Sequence, residues 1–290
     1  MSAPQNVIAV IFDFDDTLTD DSTTKLLEEY GVDPKEFWQI KNKALVDQGW
    51  DPTLSYLHLL LEHVGDTRAF GKLSNAQLRE FGATLEFYPG IPELFDDLSL
   101  ITEGHRLSRP SVEFYVISGG LEEIIAGSSI ARHLSGFRGC RFDEDEACGI
   151  FRVRNTVSFT EKTRYIFEIS KGLMAPGADT RKRPYDVNNL VRDEDRRVPL
   201  KNMIYVGDGL TDVPCFSLID KGGGYPFGVF DPKKEDSPKR ALENLLAPRR
   251  VKTMNSPNYG KCDDLGSILR GAVKRLCLDF DVNSRTVSRQ

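Results

Sequence analysis

The run Val7-Ile8-Ala9-Val10-Ile11-Phe12 is apolar and rich in β-branched residues, and it ends abruptly in Asp13-Phe14-Asp15-Asp16-Thr17-Leu18. A segment apolar throughout is a strand covered on both faces, the situation of a parallel sheet flanked by helices. Such sheets place their chemistry just past the C-terminal ends of strands. If the chain stays extended, alternation sends Asp13 and Asp15 to the same side, so both carboxylates can serve one site. The plain alternative is an ordinary loop whose acids cap the next helix. Three later segments supply matching parts and favour the site.

Phe114-Tyr115-Val116-Ile117-Ser118-Gly119-Gly120 repeats the buried-strand pattern and ends in a hydroxyl and two glycines before a helical stretch from Leu121. Glycines let backbone N–H groups approach an anion, and a helix start adds its positive dipole end, which makes Ser118 a candidate phosphate-oxygen donor. Taken alone, glycine after a strand is more often only a turn. Lys162, in Phe159-Thr160-Glu161-Lys162-Thr163-Arg164-Tyr165, sits where an extended stretch gives way to a helix. A cation there can hold a nucleophile's carboxylate and neutralise phosphate, although an exposed lysine is the commoner reading of that position. Met203-Ile204-Tyr205-Val206-Gly207-Asp208-Gly209-Leu210-Thr211-Asp212 repeats the strand-then-acid design with a second carboxylate pair. Close carboxylates repel by on the order of 4 kcal/mol per pair at an effective dielectric near 20, and a divalent cation relieves that repulsion.

The order strand-Asp-x-Asp-x-Thr, strand-Ser-Gly-Gly, Lys, strand-Gly-Asp-Gly-x-x-Asp resembles the haloacid dehalogenase-like (HAD) hydrolase superfamily. The phosphoserine-phosphatase-like branch is the nearest match, through Phe87-Tyr88-Pro89-Gly90-Ile91-Pro92-Glu93-Leu94, Val116 to Gly120 and Val206 to Gly209. The likeness runs from about Ile8 to Gly228 and thins afterwards. It implies an α/β fold, a doubly wound Rossmann-like parallel sheet with an inserted, mostly helical C1-type cap. The implied activity is a Mg²⁺-dependent phosphatase of a small phosphorylated metabolite, working through an aspartyl-phosphate. Asp13 is then the nucleophile and Asp15 the general acid/base. The metal ligands implied are the Asp13 carboxylate, the Asp15 backbone carbonyl and Asp208, with Asp212 orienting metal-bound water or Lys162 from behind. Ser118, Gly119 and Lys162 would cradle the phosphoryl oxygens, and Thr211 would touch the phosphate or the cap. Dehalogenases lack an acid at the Asp15 position because a halide leaves without a proton. Its presence favours phosphate esters.

Residues 20–86 are expected to form the cap, inserted into a core of residues 1–19 and 87–290. Leu54, Leu57, Leu61 and Val64, then Leu73, Leu78 and Phe81, carry helical periodicity between turn signals at 31–34, 49–52 and 65–66. Phosphoserine phosphatases follow the first motif with paired glutamates, one gripping the substrate's ammonium. Here Thr19-Asp20-Asp21-Ser22-Thr23-Thr24 stands instead, with Asp20, Asp21 and Ser22 read chiefly as caps of a helix beginning near Thr23. Arg68 and Arg79 are read as solvated, His58 and His63 as packing or surface, and Trp38 and Trp50 as cap core ahead of specificity walls.

Residues 137–159 read as strands with a turn through Asp143-Glu144-Asp145-Glu146, and residues 172–199 as a charged surface loop. A strand is expected at 227–230 and a helix at 238–246. A helical stripe of Leu265, Ile268, Leu269, Ala272, Val273 and Leu276 is expected to pack on the sheet, with fraying beyond Asp279.

At 290 residues and 40% hydrophobic content, the chain can bury one substantial core and a cap. A net charge of -6 argues against indiscriminate nucleic-acid or membrane binding. With no signal-like or membrane-spanning segment and five cysteines in no metal-ligand pattern, the expectation is a reduced, cytoplasmic protein. Two further readings remain at this stage: a phosphotransferase or phosphomutase using the same aspartyl-phosphate, and a non-catalytic binding module on the same fold.

Overall fold

A computed structural model of the chain describes residues 5–178, 181, 183–234 and 237–287. Asp179, Thr180 and Lys182 of the charged loop lie outside the described residues. Among the described residues, seven strands form one sheet: β1 (Val7–Phe12), β2 (Ser111–Leu121), β3 (Gly136–Asp145), β4 (Gly149–Asn155), β5 (Met203–Gly207), β6 (Tyr225–Val229) and β7 (Met254–Asn255). Their order is β4-β3-β2-β1-β5-β6-β7, parallel except for the β3–β4 hairpin at one edge. This is the α/β, parallel-sheet core expected from the motifs. β1 lies at its centre, every residue buried, because it has a strand on each side and layers on both faces.

Four helices rise between β1 and the next core helix: α1 (Ser22–Glu29), α2 (Lys43–Asp47), α3 (Pro52–Glu62) and α4 (Asn75–Gly82), with a π-helical turn at Glu36–Asn42. Their starts are written in the sequence. Asp21 caps α1 through Thr24 N, Asp51 followed by Pro52 caps α3, and Ser74 with Gln77 makes a reciprocal capping box on α4. The chain leaves the core at Thr19 and returns at Phe87, and these two residues pair in an antiparallel bridge. Thr19 Oγ1 donates to Glu86 O at 2.6 Å, and Tyr88 N to Leu18 O at 2.9 Å.

In the core, α5 (Glu93–Glu103), α6 (Glu122–Gly127), α7 (Phe159–Ser170), α8 (Val213–Lys221), α9 (Ser237–Ala241) and α10 (Asp264–Val287) complete the layers. The cap is docked on α6 by two glycines. A Cβ on Gly82 would stand 2.1 Å from Ile124 O and one on Gly127 2.0 Å from Arg79 O, so α4 and α6 approach at a distance only glycine permits.

Three expectations need adjustment. The turn after β3 falls two residues later than read, since Asp143 to Asp145 end the strand and Asp143 pairs with Arg152 across the hairpin. α10 does not fray at Asp279: Phe280 is buried, and Asp281 accepts from Ser108 Oγ at 2.7 Å and lies 2.7 Å from His105 Nδ1. Its apolar stripe lies chiefly against α5 instead of directly on the sheet. No helix among the described residues is long and apolar enough to cross a membrane, and the five cysteines are unpaired.

Candidate active site

The register of the sheet decides which side chains meet. Phe12, the last residue of β1, is level with Val116 of β2 and Val206 of β5. The residues just beyond these three positions are Asp13, Ser118 and Asp208, so three separate sequence motifs emerge side by side. Asp13 N donates to Val206 O at 2.9 Å, extending the ladder one step and fixing where its carboxylate begins.

Asp13 is buried. Oδ1 accepts from Phe14 N at 2.7 Å, and Oδ2 accepts from Lys162 Nζ at 2.6 Å. Lys162 stands in the first turn of α7, yet is only 1% exposed, so the surface reading of this residue is set aside by its burial. Its ammonium also donates to Asp212 Oδ1 at 2.8 Å. Burial alone would depress the Lys162 pKa, but the Asp13 and Asp212 carboxylates outweigh it and hold the ammonium above the ordinary lysine value. Burial raises Asp13 to about 6, against the pull of Lys162.

Asp212 is fully buried, and its carboxylate accepts from three donors. Tyr205 OH donates to Oδ1 at 2.7 Å, beside Lys162, and Gly209 N donates to Oδ2 at 3.3 Å. Carboxylate oxygens of Asp13, Asp208 and Asp212 lie within 4.8 Å of one another. Burial, and then the charges of Asp212 and Asp13, push Asp208 well above the usual carboxylate range. Hard oxygen donors crowded so that one resists ionisation are what a divalent cation such as Mg²⁺ relieves, so the set fits that metal. The carboxylates that could hold it are those of Asp13, Asp208 and Asp212, of which Asp212 also receives Lys162, Tyr205 and Gly209 N.

Asp15 sits on the cap side of Asp13, half-buried. Oδ1 accepts from Ser22 N at 2.8 Å, and burial followed by the nearby Asp21 charge raises its pKa to about 8. Burial thus favours its protonated form. Gly120 makes room for it: a Cβ there would stand 2.3 Å from Asp15 Oδ2. β2 and β3 lose register between Ile117 and Leu121, which frees this Ser-Gly-Gly segment from the ladder. The Ser118 oxygen accepts from Gly120 N at 2.9 Å, leaving its proton for a ligand.

These groups line a cavity of about 320 Å³, together with Gly119 and Thr211. Thr211 is exposed at its mouth. The cap supplies Asp21, Thr23, Trp38, Asn42 and Tyr56 to its walls. Asp21 also caps α1, as read, while Asp20 turns away to Tyr88 OH and Lys25. Trp38, read as cap core ahead of a specificity wall, packs against the core and also lines the cavity. Arg68 and Arg79 are directed elsewhere, to Glu62 O and Glu123, and His58 and His63 pack on aromatic rings of the cap.

Three tyrosines were missed in the sequence. Tyr205 holds Asp212, Tyr56 OH donates to Gly119 O at 2.5 Å, and Tyr259 OH donates to Thr17 O at 2.6 Å. A tyrosine within an apolar run was the available signal, because a buried hydroxyl needs a partner.

No protein-family model matches the chain. A protein of Borreliella burgdorferi described as uncharacterized is 31% identical over 241 residues, 76% of this chain and 81% of its own length. Among solved structures, a HAD-family hydrolase from Salmonella enterica serovar Typhi aligns with a TM-score of 0.56 and 14% identity, over 87% of this chain and 67% of that one. A phosphoserine phosphatase bearing a phospho-aspartyl intermediate analogue aligns at 0.54 and 14%, over 92% and 99%. A probable phosphoserine phosphatase from Vibrio cholerae aligns at 0.54 and 14%, over 97% and 68%. The likeness to the solved structures is one of fold.

Proposed function

Since this chain belongs to one family with the Borreliella burgdorferi protein and carries the fold of HAD-family hydrolases, we propose that it is a Mg²⁺-dependent phosphatase of small phosphomonoesters. The observation that carries this reading is the Asp13 carboxylate, held at a strand end by Phe14 N and Lys162, with Asp208 close by and Asp15 lining the same cavity. A binding module has no use for a nucleophile and an acid facing one cavity.

On this reading an Asp13 oxygen attacks phosphorus as the P–O bond to the alcohol breaks. The leaving oxygen takes the electron pair and a proton from Asp15, whose raised pKa suits it to donate. Water then attacks the aspartyl-phosphate, Asp15 takes the water's proton, and the Asp13 carboxylate departs as inorganic phosphate forms. Ser118 Oγ–H and Lys162 meet the charge on the phosphoryl oxygens. Asp212 and Tyr205 keep Lys162 in place. A divalent ion on Asp13 and Asp208 would supply Lewis-acid charge neutralisation at the phosphate. The cap, closed on the phosphate loop through Tyr56, excludes water from the first transfer. The partner on this reading is a small phosphorylated metabolite of the cytoplasm.

The test is phosphate release from p-nitrophenyl phosphate with Mg²⁺ and no added acceptor, in the full chain and in Asp13→Asn. Release abolished in a folded Asp13→Asn protein supports the reading. Unchanged turnover in that variant rejects it, and transfer that requires an added alcohol would make the protein a phosphotransferase.

A further inference from the structure

We propose that Tyr56 of the cap is a positioning residue for phosphoryl transfer: its bond to Gly119 O fixes the Gly119–Gly120 peptide and, through that peptide, aims the Ser118 hydroxyl at the phosphate. The inference rests on the phosphatase reading and deepens it, since it makes the seating of the cap a condition for a fully formed phosphate cradle.

A chain of hydrogen bonds gives the first argument. Tyr56 OH, on α3, donates to Gly119 O at 2.5 Å, and Cys140 Sγ, on β3, donates to the same oxygen at 3.1 Å. That carbonyl belongs to one planar peptide with Gly120 N, so whatever holds the oxygen also sets the direction of the N–H. Gly120 N donates to Ser118 Oγ at 2.9 Å. With one lone pair of the serine oxygen occupied in this way, its O–H is left to face the cavity that Ser118 lines. Val157 N donates to Cys140 Sγ at 3.2 Å, which steadies the thiol from behind. Burial pushes the Tyr56 hydroxyl well up and the Cys140 thiol to about 11, so both keep the proton they donate.

The second argument is that the sheet does not hold this peptide. The pairing of β1 with β2 ends at Phe12 and Val116, and β2 and β3 lose register between Ile117 and Leu121. Consecutive glycines let the peptide between them turn over at little steric cost, and a turned peptide takes its N–H off Ser118. Two donors oppose that turn, one from the core and one from the cap. Cys140 stays with the loop whatever the cap does, but a thiol is a weak donor. Tyr56 is the stronger one and arrives only with the cap. It is buried, and its ring lies 5.6 Å from that of Trp38, so the cap wall holds the hydroxyl in place.

Tyr56→Phe removes the hydroxyl and keeps the ring, and it is tested in the full chain with Mg²⁺, alone and combined with Ser118→Ala. With p-nitrophenyl phosphate, kcat/KM should fall about 30-fold in Tyr56→Phe. The same change added to Ser118→Ala should cost less than about threefold, because the effect travels through the serine hydroxyl. Orthophosphate, which has no alcohol, should bind about tenfold more weakly to Tyr56→Phe by calorimetry, with no further loss when the change is added to Ser118→Ala. Cys140→Ala removes the weaker donor and should give a loss of about threefold with the same dependence on Ser118, which carries the test if Tyr56→Phe does not fold. Turnover of a folded Tyr56→Phe protein within about twofold of the parent, or a loss that persists in full beside Ser118→Ala, would overturn the proposal. Unchanged orthophosphate binding with impaired ester turnover would overturn it too, since Tyr56 would then act on the alcohol. In each of these cases p-nitrophenyl phosphate hydrolysis by the parent keeps the phosphatase reading alive.

Discussion

Lys162 is the side chain whose removal most cleanly separates folding from chemistry. It is buried between Asp13 and Asp212 at 2.6 and 2.8 Å, and both partners are buried as well. Lys162→Met keeps the stem's volume and leaves two carboxylates without their counter-charge. Breaking a buried pair by deleting one partner costs about 3–5 kcal/mol, because the remaining charge is uncompensated. At about 2–4 °C per kcal/mol for a chain of this size, the melting temperature in EDTA should fall on the order of 10 °C. Converting Asp212→Asn in the same protein removes one of the stranded charges, and Tyr205 OH can still donate to the amide oxygen while the longer Gly209 N contact is lost. The double variant should therefore recover about 1–3 kcal/mol relative to additivity, while phosphate release stays lost in both proteins. Thermal or urea unfolding of the four members of this cycle measures the coupling. A Lys162→Met protein within about 1 kcal/mol of the parent, or a double variant no more stable than the sum of the singles, would refute the reasoning.

Two other perturbations probe the acid and the terminal helix. Gly120→Ala places a Cβ 2.3 Å from Asp15 Oδ2 and 3.2 Å from Ser118 Oγ, so the Asp15 side chain must swing away. Turnover should fall on the order of 100-fold for a stability loss of only about 1–2 kcal/mol; parental turnover would show that the acid's placement is unimportant. Asp97 on α5 is held below the ordinary carboxylate value by Arg270 at 2.6 Å, against burial, with Lys261 assisting. A lowered folded pKa gives stability that is present above the unfolded value of 3.8 and lost as pH falls through the folded one. Asp97→Asn should cost about 1–2 kcal/mol at neutral pH and almost nothing in strong acid, and an unfolding deficit that persists at low pH would contradict that origin.

The strand-end motifs were legible because their signals are local. An apolar run that ends in an acid reports both the strand and the place where it stops, and β1, β2 and β5 all carry that signature. The cap helices were equally local, since Asp21, Asp51-Pro52 and Ser74 to Gln77 declare their starts within a few residues. What could not be read were side-chain partnerships made through turns and between helices. Nothing near Tyr205 says that its hydroxyl ends on Asp212, because the 3-10 turn at Leu210–Asp212 brings the carboxylate back over the strand. Trp38 shows the same limit. Its type fits a cap core or a wall equally, and in the fold it packs against the core while lining the cavity.

The C-terminal segment, which the motifs explain least, acts on the site through backbone geometry. Tyr259 is fully buried, its hydroxyl on Thr17 O just before the chain enters the cap and its N–H on Pro89 O just after the chain returns. Its ring meets Phe12 edge-on at 6.2 Å, directly behind Asp13. One residue thus braces both cap connections and the strand that leads to Asp13. Arg270 of α10 donates to Tyr259 O and to Asp97, which locks this brace to α5. On the phosphatase reading, acid, nucleophile and lid must be held to within a fraction of an ångström, and Tyr259 adds a side-chain tie to a connection otherwise made of paired backbone. The extension is therefore best understood as the part that turns an inserted cap into a positioned one.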